Sequence, residues 1–227
     1  MKPAPLSYSS LDKFKTCGRQ YYHLKVVKDV KDEKGDAALW GDYVHINFDK
    51  YLKSKGAAPL PSNLLEYKKY LDSILGMPGD LHAELALAVN KNLERCKFDD
   101  PDVFIRGYAD VVVFNGDTAT ALDHKSGKQR LGSTQMQMMA LLIFLLYPQI
   151  ERVKVAFSWL QENALQRDHF MRSDLPVLWN TFLPDMQQYR DAYRTNTWQP
   201  KPSGLCNGWC PVRSCEYWKP KRTRGSK

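Results

Sequence analysis

Asp110, Asp123 and Lys125 are the residues of this chain whose types and spacing could do chemistry. Asp110 precedes an Asn115-Gly116 pair and Asp123 follows it. Asn-Gly between β-branched runs signals a hairpin turn. Pairing about residues 115–116 would set position 110 near 121 and bring the two carboxylates close. Asp123 and Lys125 are two apart, so on a strand both point to one face. Carboxylates that close repel unless a cation lies between them, and their hard oxygens favour Mg2+ or Mn2+. Such an ion can polarise a phosphodiester and acidify a water, while the ammonium orients that water or steadies developing charge. The alternative is a solvated hairpin with a cross-strand salt bridge. The apolar neighbours Val111, Val112, Val113, Ala121 and Leu122 weigh against it, because a carboxylate among them is partly buried and needs a partner.

Two further groups carry possible ligands. His45 lies in a stretch where Leu39, Trp40, Tyr43, Val44, Phe48, Tyr51 and Leu52 share one helical face. A lone histidine there is either a core residue or a metal ligand. Cys206, Cys210 and Cys215 crowd into ten residues, three soft ligands where a closed metal site takes four. The cysteine count is five, and no signal-peptide pattern follows Met1-Lys2-Pro3, so disulfides are not expected and a cytoplasmic protein is.

The elements that must position these residues can be read coarsely. A helix is predicted from Ser7-Tyr-Ser-Ser-Leu11, with Ser9 or Ser10 as its cap, and residues 21–27 are either extended or a continued helix. Helices follow over 38–52, 64–75 and 80–95. Strands are predicted for Val103–Phe114 and Thr118–His124, then a helix over Ser133–Leu146 and a strand over Val153–Leu160. Asp168–Arg172 could pair with that strand, and a helix covers Asp174–Tyr193. The last thirty residues, rich in proline and cysteine, read as irregular and in need of a staple. This order implies an α/β domain with a central mixed sheet flanked by helices.

At this point the chain resembles the PD-(D/E)xK nuclease superfamily, and within it the RecB-like branch. Asp110, then Asp123-His-Lys125 followed by Ser126-Gly127, is similar to its signature. Ser9-Ser10-Leu11, Phe14, Cys17 and Tyr21-Tyr22 resemble the N-terminal helix of that branch, and Gly41-Asp-Tyr-Val-His45 its G-x-x-x-H motif. Gln135 matches the first position of Q-x-x-x-Y-A, with Met139 where the tyrosine usually stands; Gly18 replaces a proline often found after the first cysteine. The similarity runs from about residue 7 to 218.

The resemblance implies a restriction-endonuclease-like α/β fold for a single nuclease domain over 1–227. It implies Asp110, Asp123 and His45 as ligands of Mg2+ or Mn2+, Lys125 serving the attacking water, and Gln135 positioning the lysine or the DNA backbone. His124 is read as structural. Glu84 stands where the family often has a helix carboxylate near the site; otherwise it is a solvated helix charge. The resemblance further implies that Cys17 joins Cys206, Cys210 and Cys215 around a 4Fe-4S cluster, with Zn2+ the alternative, and Cys96 a bystander. Segments 1–27 and 198–218 would then form one stapled element, closing a loop of roughly 190 residues and removing unfolded-state freedom. The activity implied is a DNA exonuclease acting on single strands or duplex ends, in recombination, repair or phage DNA processing. A catalytically silent DNA-end-binding or recruitment protein, in recombination or CRISPR adaptation and with partner proteins or a second copy of itself, is the alternative.

Composition agrees. Hydrophobic residues make 43% and charged residues 26% of 227, which excludes wholesale disorder. The apolar run Met136–Tyr147 is too short to span a bilayer, so no membrane partner is expected. The net charge of +8 suits a polyanion, although the tail at 219–227, read as disordered, supplies five of the positive charges.

Overall fold

A computed structural model describes residues 1–129 and 134–221. The predicted helix start at Ser133 and residues 222–227 of the basic tail lie outside the described residues. The chain divides into two compact units, Lys34–Thr181 and a second formed by Met1–Glu33 with Phe182–Lys227.

The first unit is built on five strands in the order β1-β2-β3-β4-β5: β1 (Asp80–Asn90), β2 (Val103–Asn115), β3 (Thr118–Lys125), β4 (Arg152–Trp159) and β5 (Ala164–Met171). All neighbours are antiparallel except β3 and β4, which are parallel, so the sheet is mixed as expected. The parallel step requires a crossover. Helix α5 (Gln135–Leu146) supplies it, buried on nearly every side by its run of Met, Leu, Ile and Phe. Helices α3 (Asp36–Lys53) and α4 (Lys68–Leu75) set Val44, Phe48, Leu71 and Ile74 against Val111, Val113 and Leu122 of the sheet.

Three expectations are corrected here. Residues 80–90 are a strand, not a helix: Leu81, Ala83, Leu85 and Leu87 are good helix formers, but pairing with the whole of β2 overrides that preference. Glu84 is therefore a strand residue. Cys96 likewise follows that strand in irregular chain and does not end a helix. The hairpin pairs Asn115 with Thr118 around a Gly116-Asp117 loop, with Gly116 at φ 59°, so the ladder is offset from the predicted centre and runs Val111↔Leu122.

The second unit opens with α1 (Tyr8–Thr16), whose cap is Ser7, not Ser9 or Ser10; Ser7 Oγ accepts from Ser10 N at 3.2 Å and Ser10 Oγ closes the capping box. α2 (Gly18–Tyr21) continues as a helical turn over Tyr22–Val27. From α6 (Leu175–Thr195), Phe182, Met186, Tyr189 and Tyr193 form a buried stripe at helical spacing. Phe14, Tyr21, Tyr189 and Trp198 pack edge to face or stacked, and Tyr21 Oη lies 2.6 Å from Tyr189 Oη. Residues 198–221 are mostly irregular, as the proline content implies.

Candidate active site

The sheet register places three acids in one row. Ala83 pairs with Val111 and Leu85 with Ala109, so Glu84 stands opposite Asp110. Val111 pairs with Leu122, so the next position sets Asp110 beside Asp123. Three adjacent strands thus contribute three carboxylates at one level of the sheet. In an ordinary protein such a row would be replaced or charge-paired, because like charges destabilise each other at this range.

His45 reaches the row from α3. Its Nδ1 is 3.3 Å from Asp110 Oδ2. His45, Glu84 and Asp110 each offer a ligand atom, and these atoms lie within 4.8 Å of one another. Asp110 also accepts a hydrogen bond from the backbone N–H of His124 at 2.6 Å. The His124 ring points elsewhere, to the Tyr70 hydroxyl at 3.1 Å and edge-on to Phe48. Burial pushes its imidazole down to about 4, so the ring is neutral at physiological pH and packs as a structural group.

Asp123 is the most buried carboxylate of the set, 5% exposed. Oδ1 accepts from Gln135 Nε2 at 2.7 Å, and Gln135 Oε1 in turn accepts from Lys125 Nζ at 2.8 Å. Gln135, the first residue of α5, thereby ties the acid and the amine of β3 into one arrangement. Lys125 Nζ lies 2.6 Å from Asp123 Oδ2 as an ion pair, yet that buried oxygen has no aligned hydrogen-bond donor. Lys125 Nζ also stands 4.7 Å from the centre of the Phe157 ring.

The electrostatics record the crowding. Burial and then the charge of Asp110 push Asp123 up to about 6, against the pull of Lys125. Burial, Asp110 and Asp49 push Glu84 up from its ordinary value. Burial alone would raise Asp110, but its hydrogen bond with His45 and the nearby His124 outweigh it and leave the carboxyl below its ordinary value. His45 is desolvated, which favours the neutral ring, but Asp110 outweighs that and raises it. Among the described residues, Asp49 and the three acids of the row face Lys53, Lys125 and His45, four carboxylates to three groups that can carry positive charge. Hard carboxylate oxygens and one imidazole within reach of one another fit a divalent ion such as Mg2+ or Mn2+.

Glu84 carries a second signature. Its φ is 52°, in the left-handed region that a non-glycine residue avoids, in the middle of a strand. Such a conformation costs on the order of 1–3 kcal/mol and is kept where the surroundings impose it, often at functional sites. Nothing in the sequence marks this conformation, since the side chains around Glu84 favour a helix.

Of the residues expected to act together, His45, Asp110, Asp123, Lys125 and Gln135 converge, and Glu84 joins them from β1. Cys17, Cys206, Cys210 and Cys215 lie in the other unit, and none of them forms a disulfide. Cys210 Sγ accepts from Gln20 Nε2 at 3.6 Å, and Cys17 Sγ from the backbone N–H of Lys201 at 3.4 Å. Burial raises the Cys210 thiol, and the neighbouring Cys17 and Cys206 raise it further, so these three are close in space. Among the described residues no three cysteine sulfurs lie within 4.8 Å of one another.

The chain is similar to known proteins over nearly its whole length. A family model for the PD-(D/E)XK nuclease superfamily matches residues 5–215. No curated protein sequence matches the chain. Among solved structures, one described as a candidate exonuclease from Eubacterium rectale is similar at 13% identity and a TM-score of 0.53, covering 93% of this chain and 86% of its own. SSO0001 is similar at 12% identity and a TM-score of 0.51, covering 95% of this chain and 87% of its own. These identities speak to the fold alone. Among the described residues, no helix is long and apolar enough to cross a membrane.

Proposed function

Because the chain belongs to the PD-(D/E)XK nuclease superfamily, with the restriction-endonuclease-like α/β fold, we propose that the acid row is the active centre of a divalent-metal-dependent DNA exonuclease. The observation that carries this reading is the convergence of Glu84, Asp110 and Asp123 on adjacent strands, with Lys125 held beside Asp123.

Asp110, His45 and Glu84 would hold the ion, with Asp123 contributing its oxygen that lacks an aligned donor. Bound there, Mg2+ or Mn2+ supplies Lewis acidity toward a phosphodiester oxygen and the attacking water. The chain's own residues do the rest. The His124 N–H fixes one oxygen of Asp110 and so aims the other. Gln135 fixes Asp123 and Lys125 relative to each other. Lys125 presents an ammonium beside Asp123, where it can hold the water or meet negative charge growing on the phosphate. Exposed Lys and Arg follow the phosphates, so binding weakens steeply with salt. The substrate class proposed is single-stranded DNA or duplex ends, in recombination, repair or phage DNA processing. A silent end-binding role is the second reading; the paired Lys125 and Asp123, which simple DNA binding does not require, favour chemistry.

The test is incubation of end-labelled single- and double-stranded DNA with Mg2+, Mn2+ or EDTA. We expect shortening of linear DNA with either ion and none with EDTA. Wild-type protein that leaves every DNA form intact with both ions rejects the proposal.

We further propose a 4Fe-4S cluster on Cys17, Cys206, Cys210 and Cys215. What supports a shared site is that Cys17 and Cys206 neighbour Cys210 closely enough to raise its thiol. Protein purified without oxygen should be brown, absorbing near ~400 nm and losing that band on Cys17→Ala substitution. A colourless preparation containing zinc counts against iron.

A further inference from the structure

Outside the metal centre, β2 carries an aromatic group that the chemistry above does not use. Tyr108 is two residues from Asp110, about 7 Å along a strand. It is 51% exposed, unusual for a tyrosine inside a sheet. One side of the ring meets Phe98, with centroids 4.2 Å apart and planes at 34°. The Arg106 guanidinium lies 4.6 Å from the centre of the same Phe98 ring. Arg106 is itself held, donating to Phe98 O at 2.7 Å and to Asp99 Oδ1 at 3.0 Å. The result is a buttressed aromatic pair with one ring largely open to solvent, fixed in place beside the acid row.

A fixed ring with an uncovered surface next to a phosphodiester-cleaving centre suits a nucleobase, since every base has a π-face and stacking on it is tolerant of sequence. Single-stranded DNA offers unpaired bases for this; a duplex keeps its bases stacked inward. The distance from Tyr108 to Asp110 spans about two stacked-base steps of 3.4 Å. We propose that Tyr108 is the stacking platform for an unpaired base of the substrate strand near the scissile phosphate, with Phe98 and Arg106 keeping its ring in place. The proposal rests on the nuclease reading above and adds to it a contact that selects single-stranded ends.

The test compares wild type with Tyr108→Leu and Tyr108→Trp. Leucine keeps apolar contact with Phe98, so folding is preserved, which matching thermal melts establish. Binding of a fluorescein-labelled single strand is followed by anisotropy in EDTA, where no cleavage occurs. Tyr108→Leu should bind about ten- to a hundredfold more weakly, and Tyr108→Trp about as well as wild type. In a second arm, one abasic residue is walked along an end-labelled strand and cleavage is timed in Mn2+. Wild type should slow at one position, and Tyr108→Leu at none. Equal binding by wild type and Tyr108→Leu overturns the stacking role, whatever the cleavage result. Failure of wild type to cut any strand sinks the nuclease reading, and the binding comparison still decides Tyr108.

Discussion

Replacing Asp123 with Asn is expected to abolish cleavage and, at the same time, to stabilise the metal-free protein. The loss follows from removing a buried oxygen at the proposed ion and should reach on the order of 10³-fold or more. The gain follows from the electrostatics. The carboxyl is pushed from 3.8 to about 6 in the fold, chiefly by burial and then by Asp110. A raised value means that the fold disfavours the charged form. Below the unfolded value both states are protonated and Asp123 contributes nothing to the pH dependence. As pH rises through about 6, the native state must carry a charge it resists, and stability falls. The carboxyl's rise, with the pull of Lys125 already included, corresponds to about 3 kcal/mol, and imperfect hydrogen bonding of the buried amide leaves a net gain of about 1–2 kcal/mol. For a chain of this length that is about 2–8 °C in melting temperature at pH 8. The difference should vanish near pH 4. Thermal melts of both proteins across that range, without divalent ions, provide the check. A variant that melts below wild type at pH 8 would show that the row is not under charge strain.

The second large effect concerns Lys125. Substitution by Met should lower the cleavage rate by about 10²- to 10³-fold, the scale of losing one charged donor to a developing oxyanion. Arginine should not rescue it. The ammonium sits between Asp123, Gln135 Oε1 and the Phe157 ring, a pocket shaped for a compact cation and not for a planar guanidinium. Lys125 also pulls the Asp123 value down. Without it, Asp123 holds its proton to higher pH, and Mn2+ binding should need a more alkaline solution than in wild type. Rates together with Mn2+ titrations from pH 5 to about 9 separate the two roles. A rate within tenfold of wild type, or an unchanged pH dependence of binding, would make Lys125 a mere salt-bridge partner.

How much of this was legible in the sequence depends on the kind of signal each residue carries. The hairpin announced itself, because Val111-Val-Val-Phe114 can hardly be anything but a strand and Asn115-Gly116 marks the turn. Its register is less legible: the loop is Gly116-Asp117, and the ladder brings Asp110 closer to Asp123 than a turn centred on 115–116 predicts. The strand carrying Glu84 was hidden: its Ala, Leu and Glu residues favour a helix, and only pairing with β2 makes it extended. For the same reason Glu84 was expected on a helix, and its reversed φ has no sequence mark. His45 was legible through the spacing from Gly41, which the fold explains: a Cβ at Gly41 would come within 3.0 Å of Ser126 Oγ, just past Lys125. The pairing of Phe98 with Tyr108 was not legible, because it joins a loop to a strand across residues with no periodic pattern.

On the proposed reading, the arrangement gives up stability for function. Three acids in one row, a glutamate in a strained conformation and a carboxyl held against its preferred protonation all weaken the metal-free fold. On the same reading, a divalent ion among the acids would relieve the crowded charge.

Calorimetric titration of the whole protein with Mn2+ at pH 8 tests that claim most directly, run beside Asp110→Asn under the same conditions. We predict saturable binding by wild type that is lost when Asp110 is neutralised, because that residue touches His45, faces Glu84 and neighbours Asp123. Undiminished Mn2+ uptake by the Asp110→Asn protein, or none by wild type, would contradict the account.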